Sequence, residues 1–249
     1  MNTPKINILI NGWTGKMGTA LLACVEKHPG LEVVGKICHS DQVDGKLLDV
    51  DVVVDFVNDP GVSTSMAVTC AAIKKSIVIG TTGHTDEQRQ IIEDMARITP
   101  IVMTSNFSIG ANLLFWLSGV VTEKVGIGVD IEIVEMHHCL KKDAPSGTAL
   151  TLAEIIAAAR SKQLHDVVQF GRHGTTGPRS QDEIGIHSIR GGDVVGDHTV
   201  LFAAIGERIE LTHKASSRNT FAEGALRAAE WVVKQKPGLY DMQDVLGLR

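Results

Sequence analysis

Five short runs of aliphatic, mostly β-branched residues recur through the first hundred positions: Ile6–Ile10, Val33–Ile37, Val52–Phe56, Ile77–Ile79 and Ile101–Met103. Several run apolar without alternation, which suits strands covered on both faces. Between them, Gly15–Lys27, Val62–Lys74 and Asp86–Ile98 read as helices. Parallel strands need crossover connections, and helices of this length provide them. The expected fold is α/β, a Rossmann-like doubly wound parallel sheet.

After Ile109 the pattern changes to a helix over 111–124, a strand over Asp130–Met136, a loop, and a helix over Ser146–Ala159. Four β-rich segments follow: Val167–Phe170, Ile184–Ile189, His198–Ala204 and Arg208–His213, with a tight turn at Ile205-Gly206-Glu207. They predict a second α+β domain with an open mixed sheet. A last helix over Thr220–Gln235 stops at Pro237-Gly238, leaving a tail expected to pack back on the first domain. The expected division is 1–108 with 218–249 for dinucleotide binding, and 109–217 for the substrate.

Composition narrows the function classes. Hydrophobic residues make up 43% and charged residues 21%, enough apolar material for a sizeable core, so disorder and fibrous repeats are excluded. A net charge of -5 works against a nucleic-acid grip, although a small anion can still meet a local positive pocket. The cysteines at 24, 38, 70 and 139 form neither a C-x-x-C pair nor a zinc-like spacing, so no disulfide framework or structural metal is expected. No apolar run approaches the roughly 18 residues of a membrane span. The opening stretch has no export-signal pattern, which gives a cytoplasmic expectation.

Gly12, Gly15 and Gly18 follow the first strand and open the helix that carries Met17, Leu21, Leu22 and Val25. Without a Cβ, Gly12 and Gly15 let the backbone turn sharply and approach a pyrophosphate, and Gly18 permits close helix–strand packing. The helix start offers free amides and partial positive charge. An ordinary strand-to-helix turn needs less than this, so the placement favours a nucleotide site. Such sites usually carry an acidic residue at the tip of the second strand. Here the tip reads Gly35-Lys36-Ile37-Cys38-His39-Ser40, with Asp41 late, whereas Lys16, Lys36 and His39 can face a 2′-phosphate. Both NADH and NADPH are compatible. Two turns, Gly80–Gly83 and Ser105–Ser108, follow the fourth and fifth strands and are expected to close over the nicotinamide half.

The densest chemistry lies in Glu135-Met136-His137-His138-Cys139-Leu140-Lys141-Lys142-Asp143-Ala144-Pro145-Ser146-Gly147-Thr148. The Asp-Ala-Pro-Ser run signals a turn and a helix start, placing the amides of Gly147 and Thr148 where carboxylate oxygens are welcome. His138 and Lys141 add donors or charge, and a small-molecule dicarboxylate suits the set. His137 or Lys141 can deliver a proton near neutral pH. Successive extended residues face opposite ways, so His137, His138 and Cys139 cannot easily gather one ion, and no metal is expected. Taken alone, Lys141-Lys142 reads as a solvated loop, and Ser146 with Thr148 reads equally well as a helix cap.

The segment 135–148 resembles the E-x-H-H-x-x-K-x-D-A-P-S-G-T signature of the 4-hydroxy-tetrahydrodipicolinate reductase (dihydrodipicolinate reductase) family of bacterial lysine and diaminopimelate synthesis. The resemblance extends along nearly the whole chain, through GTTG at 80–83, SNFSIGAN at 105–112, SIRGGDVVGDHTVLF at 188–202 and HKASSRNTFAEGAL at 213–226. It implies reduction of 4-hydroxy-tetrahydrodipicolinate to tetrahydrodipicolinate with NADH or NADPH and loss of water. It implies His137 as proton donor or acceptor, Lys141 as proton donor, and His138, Gly147 and Thr148 as binders of the substrate carboxylates. The cofactor positions it implies are Gly12, Trp13, Thr14, Gly15, Lys16, Met17, Gly80, Thr81, Thr82, Thr104, Ser105, Asn106 and Phe107, with Arg218 and Phe221 approaching from the C-terminal segment. It also implies a homotetramer built through the mixed sheets. The chain departs from the pattern at Trp13-Thr14, where small residues are usual, and at Cys38-His39, where a Glu-Arg pair is common. Two other readings are a non-catalytic NAD(P)-sensing Rossmann protein, which needs no dicarboxylate pocket, and a related two-domain amino-acid dehydrogenase.

Overall fold

A computed structural model describes residues 4–38 and 47–248. The predicted His39, Ser40 and Asp41 at the second strand tip lie outside the described residues. The first compact unit comprises Met1–Ile109 and Arg218–Arg249, and the second Gly110–Ser217.

In the first unit, β1 (Ile6–Asn11), α1 (Lys16–Val25), β2 (Leu31–Ile37), β3 (Val52–Asp55), α2 (Pro60–Ala72), β4 (Ser76–Ile79), α3 (Asp86–Ala96) and β5 (Pro100–Met103) alternate as the apolar runs predict. All pairings are parallel. The buried runs resolve into two cores, one on each face. Ile8, Ile10, Val52, Val54, Val78 and Val102 pack with Leu21 of α1, while Leu9, Val53, Ile77, Ile79 and Ile101 pack with Met66 and Ile92 of α2 and α3. A strand that serves two cores has no polar face, which explains the missing alternation.

The second unit begins along α4 (Ile109–Val125) and continues with β6 (Asp130–His137), α5 (Gly147–Ala159), the one-turn α6 (Leu164–Val167), β7 (Val168–Phe170), β8 (Ile184–Arg190), β9 (Gly196–Ala204) and β10 (Glu207–Ala215). The sequence segment at 167–170 is therefore strand only from Val168. The strand order is β10-β9-β6-β8-β7, with β6 parallel to β8 and antiparallel to β9. Ile131 and Ile133 of β6 face a core built with Leu152 and Ile156 of α5. The same face continues into Glu135 and His137, so the strand that anchors the core also carries two polar side chains to its end.

The chain then re-enters the first unit. Helix α7 (Asn219–Val232) places Ala225, Leu226 and Ala229 in the core around α1. It ends three residues before the predicted Gln235. The tail forms β11 (Gly238–Tyr240), parallel to β5 with Leu239 opposite Ile101, and the short α8 (Met242–Leu246), capped by Asp241. The six-stranded order is β11-β5-β4-β3-β1-β2, so the topological reversal falls between β1 and β3.

Gly12 has φ +86°, and a Cβ on Gly18 would stand 2.4 Å from both the Gly12 carbonyl oxygen and the Trp13 Cα. Backbone on both sides cannot yield cheaply. Gly18→Ala is expected to cost about 1–3 kcal/mol as α1 is pushed away from β1, measured as a lowered urea midpoint; an unchanged midpoint contradicts this packing.

Candidate active site

At the reversal between β1 and β3, the carboxyl ends of the strands bound a cleft of about 920 Å³. Gly12, Thr14, Gly15, Lys16 and Met17 line it from one side, with Cys38 and Phe56–Asp59, and Gly80, Thr81 and Thr82 from the other. The N-cap of α1 is Gly15, whose lack of a side chain leaves the first amides of the helix uncapped. Such amides suit a phosphate. A Cβ at Gly80 would meet the Phe56 ring at 2.1 Å, so any larger residue there would push that ring aside. Phe56 packs in turn on Phe107, ring centroids 5.4 Å apart.

The remaining predicted cofactor residues belong to the same unit but do not line this cleft. Trp13 is half-buried, and the Lys36 ammonium stands 5.8 Å above its ring centroid. Thr104, Ser105 and Asn106 make the turn after β5, held by the Asn106 Oδ1 accepting from the Ser108 amide at 2.9 Å. Phe107 is buried in the core, and Arg218 is the N-cap residue of α7.

In the second unit, chemistry concentrates at the end of β6. Glu135 is 0% exposed, yet it is charged. Arg190 of β8 grips it as a fork: Nη1 donates to Oε2 at 2.8 Å and Nη2 to Oε1 at 2.9 Å. The same guanidinium donates to the Asp143 carbonyl at 2.7 Å, tying the loop to the strand. The Ser146 amide donates to Oε1 at 3.1 Å, and His137 Nδ1 lies 2.6 Å from Oε2. Burial alone would raise the Glu135 pKa, but Arg190, Ser188 and His137 hold it down to about 2.

A carboxylate in that state only accepts, so Nδ1 of His137 carries the hydrogen and Nε2 keeps its lone pair. Burial lowers the His137 pKa against the opposing pull of Glu135, so the ring is neutral at pH 7. Gly196 leaves the space beside Nε2, where a Cβ would approach to 3.0 Å. His198 of β9 stands edge-on to His137, centroids 5.1 Å apart, and its Nε2 is hydrogen-bonded to Ser146 Oγ at 3.0 Å. It is 4% exposed, and burial, followed by His137, pushes its pKa down to about 3.

The loop between β6 and α5 supplies the cation. Lys141 Nζ sits 2.8 and 2.9 Å from the Asp143 carboxylate oxygens, and the Lys141 amide donates to the His138 carbonyl at 3.1 Å. His138 is itself fixed by its amide on Val194. Ser146 caps α5 by accepting from the Ala149 amide at 3.2 Å, which leaves Gly147 and Thr148 in the first turn. Gly147 is exposed, with open space where a Cβ would stand. Thus His137, Lys141, Gly147 and Thr148 gather around one strand end. The arrangement can accept a proton at a neutral imidazole, offer one from an ammonium, and receive carboxylate oxygens at a helix start. Among the described residues there is no group of three or more potential metal ligands.

Sequence reasoning passed over Arg190 and His198, although both fall inside the 188–202 run. Only strand register brings them in: His137 is opposite Arg190, and Glu135 is opposite His198.

The architecture defines a Rossmann-type α/β protein with a second unit that carries a histidine–lysine site on a mixed sheet. Residues 6–107 match the family described as dihydrodipicolinate reductase, N-terminus, and residues 110–246 match dihydrodipicolinate reductase, C-terminus. The chain belongs to the dihydrodipicolinate reductase family. The 4-hydroxy-tetrahydrodipicolinate reductase of Akkermansia muciniphila is 52% identical, over 98% of each chain. That of Nitrosomonas europaea is 45% identical, over 98% of this chain and 99% of the relative. Dipicolinate-bound dihydrodipicolinate reductase from Paenisporosarcina sp. TG-14 superposes with a TM-score of 0.81 at 26% identity, covering 96% and 98%. The C. glutamicum DAP dehydrogenase in complex with DAP shares the fold alone, with a TM-score of 0.55 at 14% identity, covering 96% and 93%.

The depressed histidines set a pH dependence. The unfolded His198 protonates near pH 6.5 and the folded one only near 3, so the unfolded state binds more protons across that window and stability falls as pH is lowered through it. His137 acts in the same direction. His198→Gln, which keeps a polar atom toward Ser146, is expected to flatten the fall in unfolding free energy between pH 6.5 and 4. Equal slopes in urea titrations of the two proteins contradict the assignment.

Proposed function

We propose that the chain reduces 4-hydroxy-tetrahydrodipicolinate to tetrahydrodipicolinate, with loss of water, in the diaminopimelate route to lysine. The observation that carries the reading is the meeting of a neutral His137, the Lys141 ammonium and the first turn of α5 on one strand end. Sequence relatives named for this reaction support it.

Residues 1–108 and 218–249 form the dinucleotide-binding part in this reading, and 109–217 the substrate-binding and oligomerisation part. Gly12–Met17 and Gly80–Thr82 hold a reduced nicotinamide nucleotide, with Thr104–Phe107 and Arg218 completing the approach. Bound there, the nucleotide supplies a hydride. The uncapped amides at the start of α1 receive phosphate. Lys16 and Lys36 add positive charge that suits NADPH, while the ribose contacts of NADH need no 2′-phosphate partner, so both nucleotides serve.

The amides of Gly147 and Thr148, with His138, bind the ring carboxylates and fix the ring; positioning of this kind is worth several kcal/mol, within a ceiling of about 7–11 kcal/mol. Loss of water moves one proton from the ring to the departing hydroxyl, and the Nε2 lone pair of His137 is placed to carry it. Lys141 then donates the proton that completes the reduction.

Assembly as a homotetramer uses the sheet face turned away from α5, where Ile189 is 46% exposed and Val134 and Leu201 are half-buried. Cys24, Cys38, Cys70 and Cys139 are thiols and not disulfides, which fits a cytoplasmic location.

Lys141→Ala is expected to lower turnover about 10²–10⁴-fold, the usual contribution of a positioned proton donor, with nucleotide binding nearly intact. The assay follows NADH and NADPH absorbance with enzymatically generated substrate. A variant that loses both turnover and nucleotide binding contradicts the role given to Lys141. Failure of either nucleotide to support turnover by the wild-type chain contradicts the function.

A further inference from the structure

Asp55 ends β3 at the topological reversal, 0% exposed, without a cation beside it among the described residues. Its carboxylate is surrounded by neutral donors from three segments. Asn11 Nδ2, at the end of β1, donates to Oδ1 at 2.5 Å. Ser63 Oγ of α2 donates to Oδ2 at 2.6 Å, and Thr81 Oγ1, after β4, donates to the same oxygen at 2.8 Å. Thr81 Oγ1 also accepts from the Val57 amide at 3.1 Å. A buried anion is costly unless every lone pair it presents is answered. Burial accordingly presses the Asp55 pKa upward, and the three hydrogen bonds oppose that pressure.

The segments tied by this one side chain bound the cleft. Asn11 precedes Gly12, Asp55 precedes Phe56 and Val57, Ser63 follows Val62, and Thr81 itself lines the wall. An apolar residue at position 55 could fill the space but would leave three inward donors unanswered. An acceptor-only group is the simplest that satisfies all three at once.

We propose that Asp55 is a positioning residue for nicotinamide nucleotide binding, its carboxylate fixing the Gly12, Phe56–Val57 and Thr81 walls of the cleft at the spacing the nucleotide requires. It touches no ligand and acts through Asn11, Ser63 and Thr81. The inference rests on reading the cleft as the nucleotide site. Asp55→Asn exchanges one acceptor oxygen for a donor inside a ring of donors. Ser63→Ala removes a single donor from a residue outside the cleft lining.

The test is calorimetric titration of the wild-type chain, D55N and S63A with NADH and NADPH, together with steady-state kinetics. Asp55→Asn is expected to weaken nucleotide binding at least 10-fold and raise its KM in parallel, with kcat at saturating nucleotide and the KM for the imine substrate within about 3-fold of wild type. Ser63→Ala is expected to weaken binding about 3-fold, and it carries the test if D55N does not fold. Variants of lowered Tm that bind nucleotide as the wild type does reduce Asp55 to a structural role and overturn the inference. Loss of kcat with unchanged nucleotide affinity overturns it as well. If the wild-type chain binds neither nucleotide, the reading of the cleft fails and the inference falls with it.

Discussion

The second unit depends on one buried charge. Glu135 sits on the face of β6 that elsewhere carries Ile131 and Ile133, and it can remain ionised there only because Arg190 meets both carboxylate oxygens from the neighbouring strand. Breaking such a pair from one side leaves an uncompensated buried charge, costing about 3–5 kcal/mol. The pair does more than offset its own desolvation. The remaining acceptor capacity of Glu135 orients His137, receives the Ser146 amide and so sets where α5 begins. Arg190 also pins the loop through the Asp143 carbonyl. The strand end, the loop and the helix start are therefore a single hydrogen-bonded object.

The first unit solves a related problem without an arginine. Its cleft lies where β1 and β3 part company, and there a fully buried Asp55 gathers neutral donors instead of a cation. The two carboxylates show opposite outcomes of the same competition. Where a guanidinium fork answers the charge, the pKa falls to about 2 despite burial; where only hydroxyls and an amide do, burial wins and the pKa rises. In the proposed function these two sites serve one reaction, the first for a nucleotide and the second for an anionic ring.

Much of this was legible in the chain before any coordinates. The unalternating runs at Ile6, Val52 and Ile77 marked buried parallel strands because each serves two cores. The loop from Glu135 to Thr148 stood out by its density of polar residue types, and the family resemblance supplied the roles it is expected to play. What stayed hidden was set by distance along the chain. Arg190 lies 55 residues from Glu135, and His198 lies 52 from Ser146, so neither local pattern nor spacing reveals them as partners. Asp55 falls inside the run Val52–Phe56 and Asn11 stands just before Gly12, so neither is marked out by local pattern. The three-residue β11 and the single turn of α6 were missed for a simpler reason, being too short to establish a period.

The central claim is that an ionised Glu135 fixes His137 as a neutral imidazole with its hydrogen on Nδ1 and its lone pair on Nε2. Nitrogen-15 NMR of ring-labelled histidine at pH 7, with His137 assigned by its absence in His137→Gln, reads that state directly. The account predicts a neutral ring with Nδ1 protonated. An imidazolium, or a neutral ring with the hydrogen on Nε2, contradicts it.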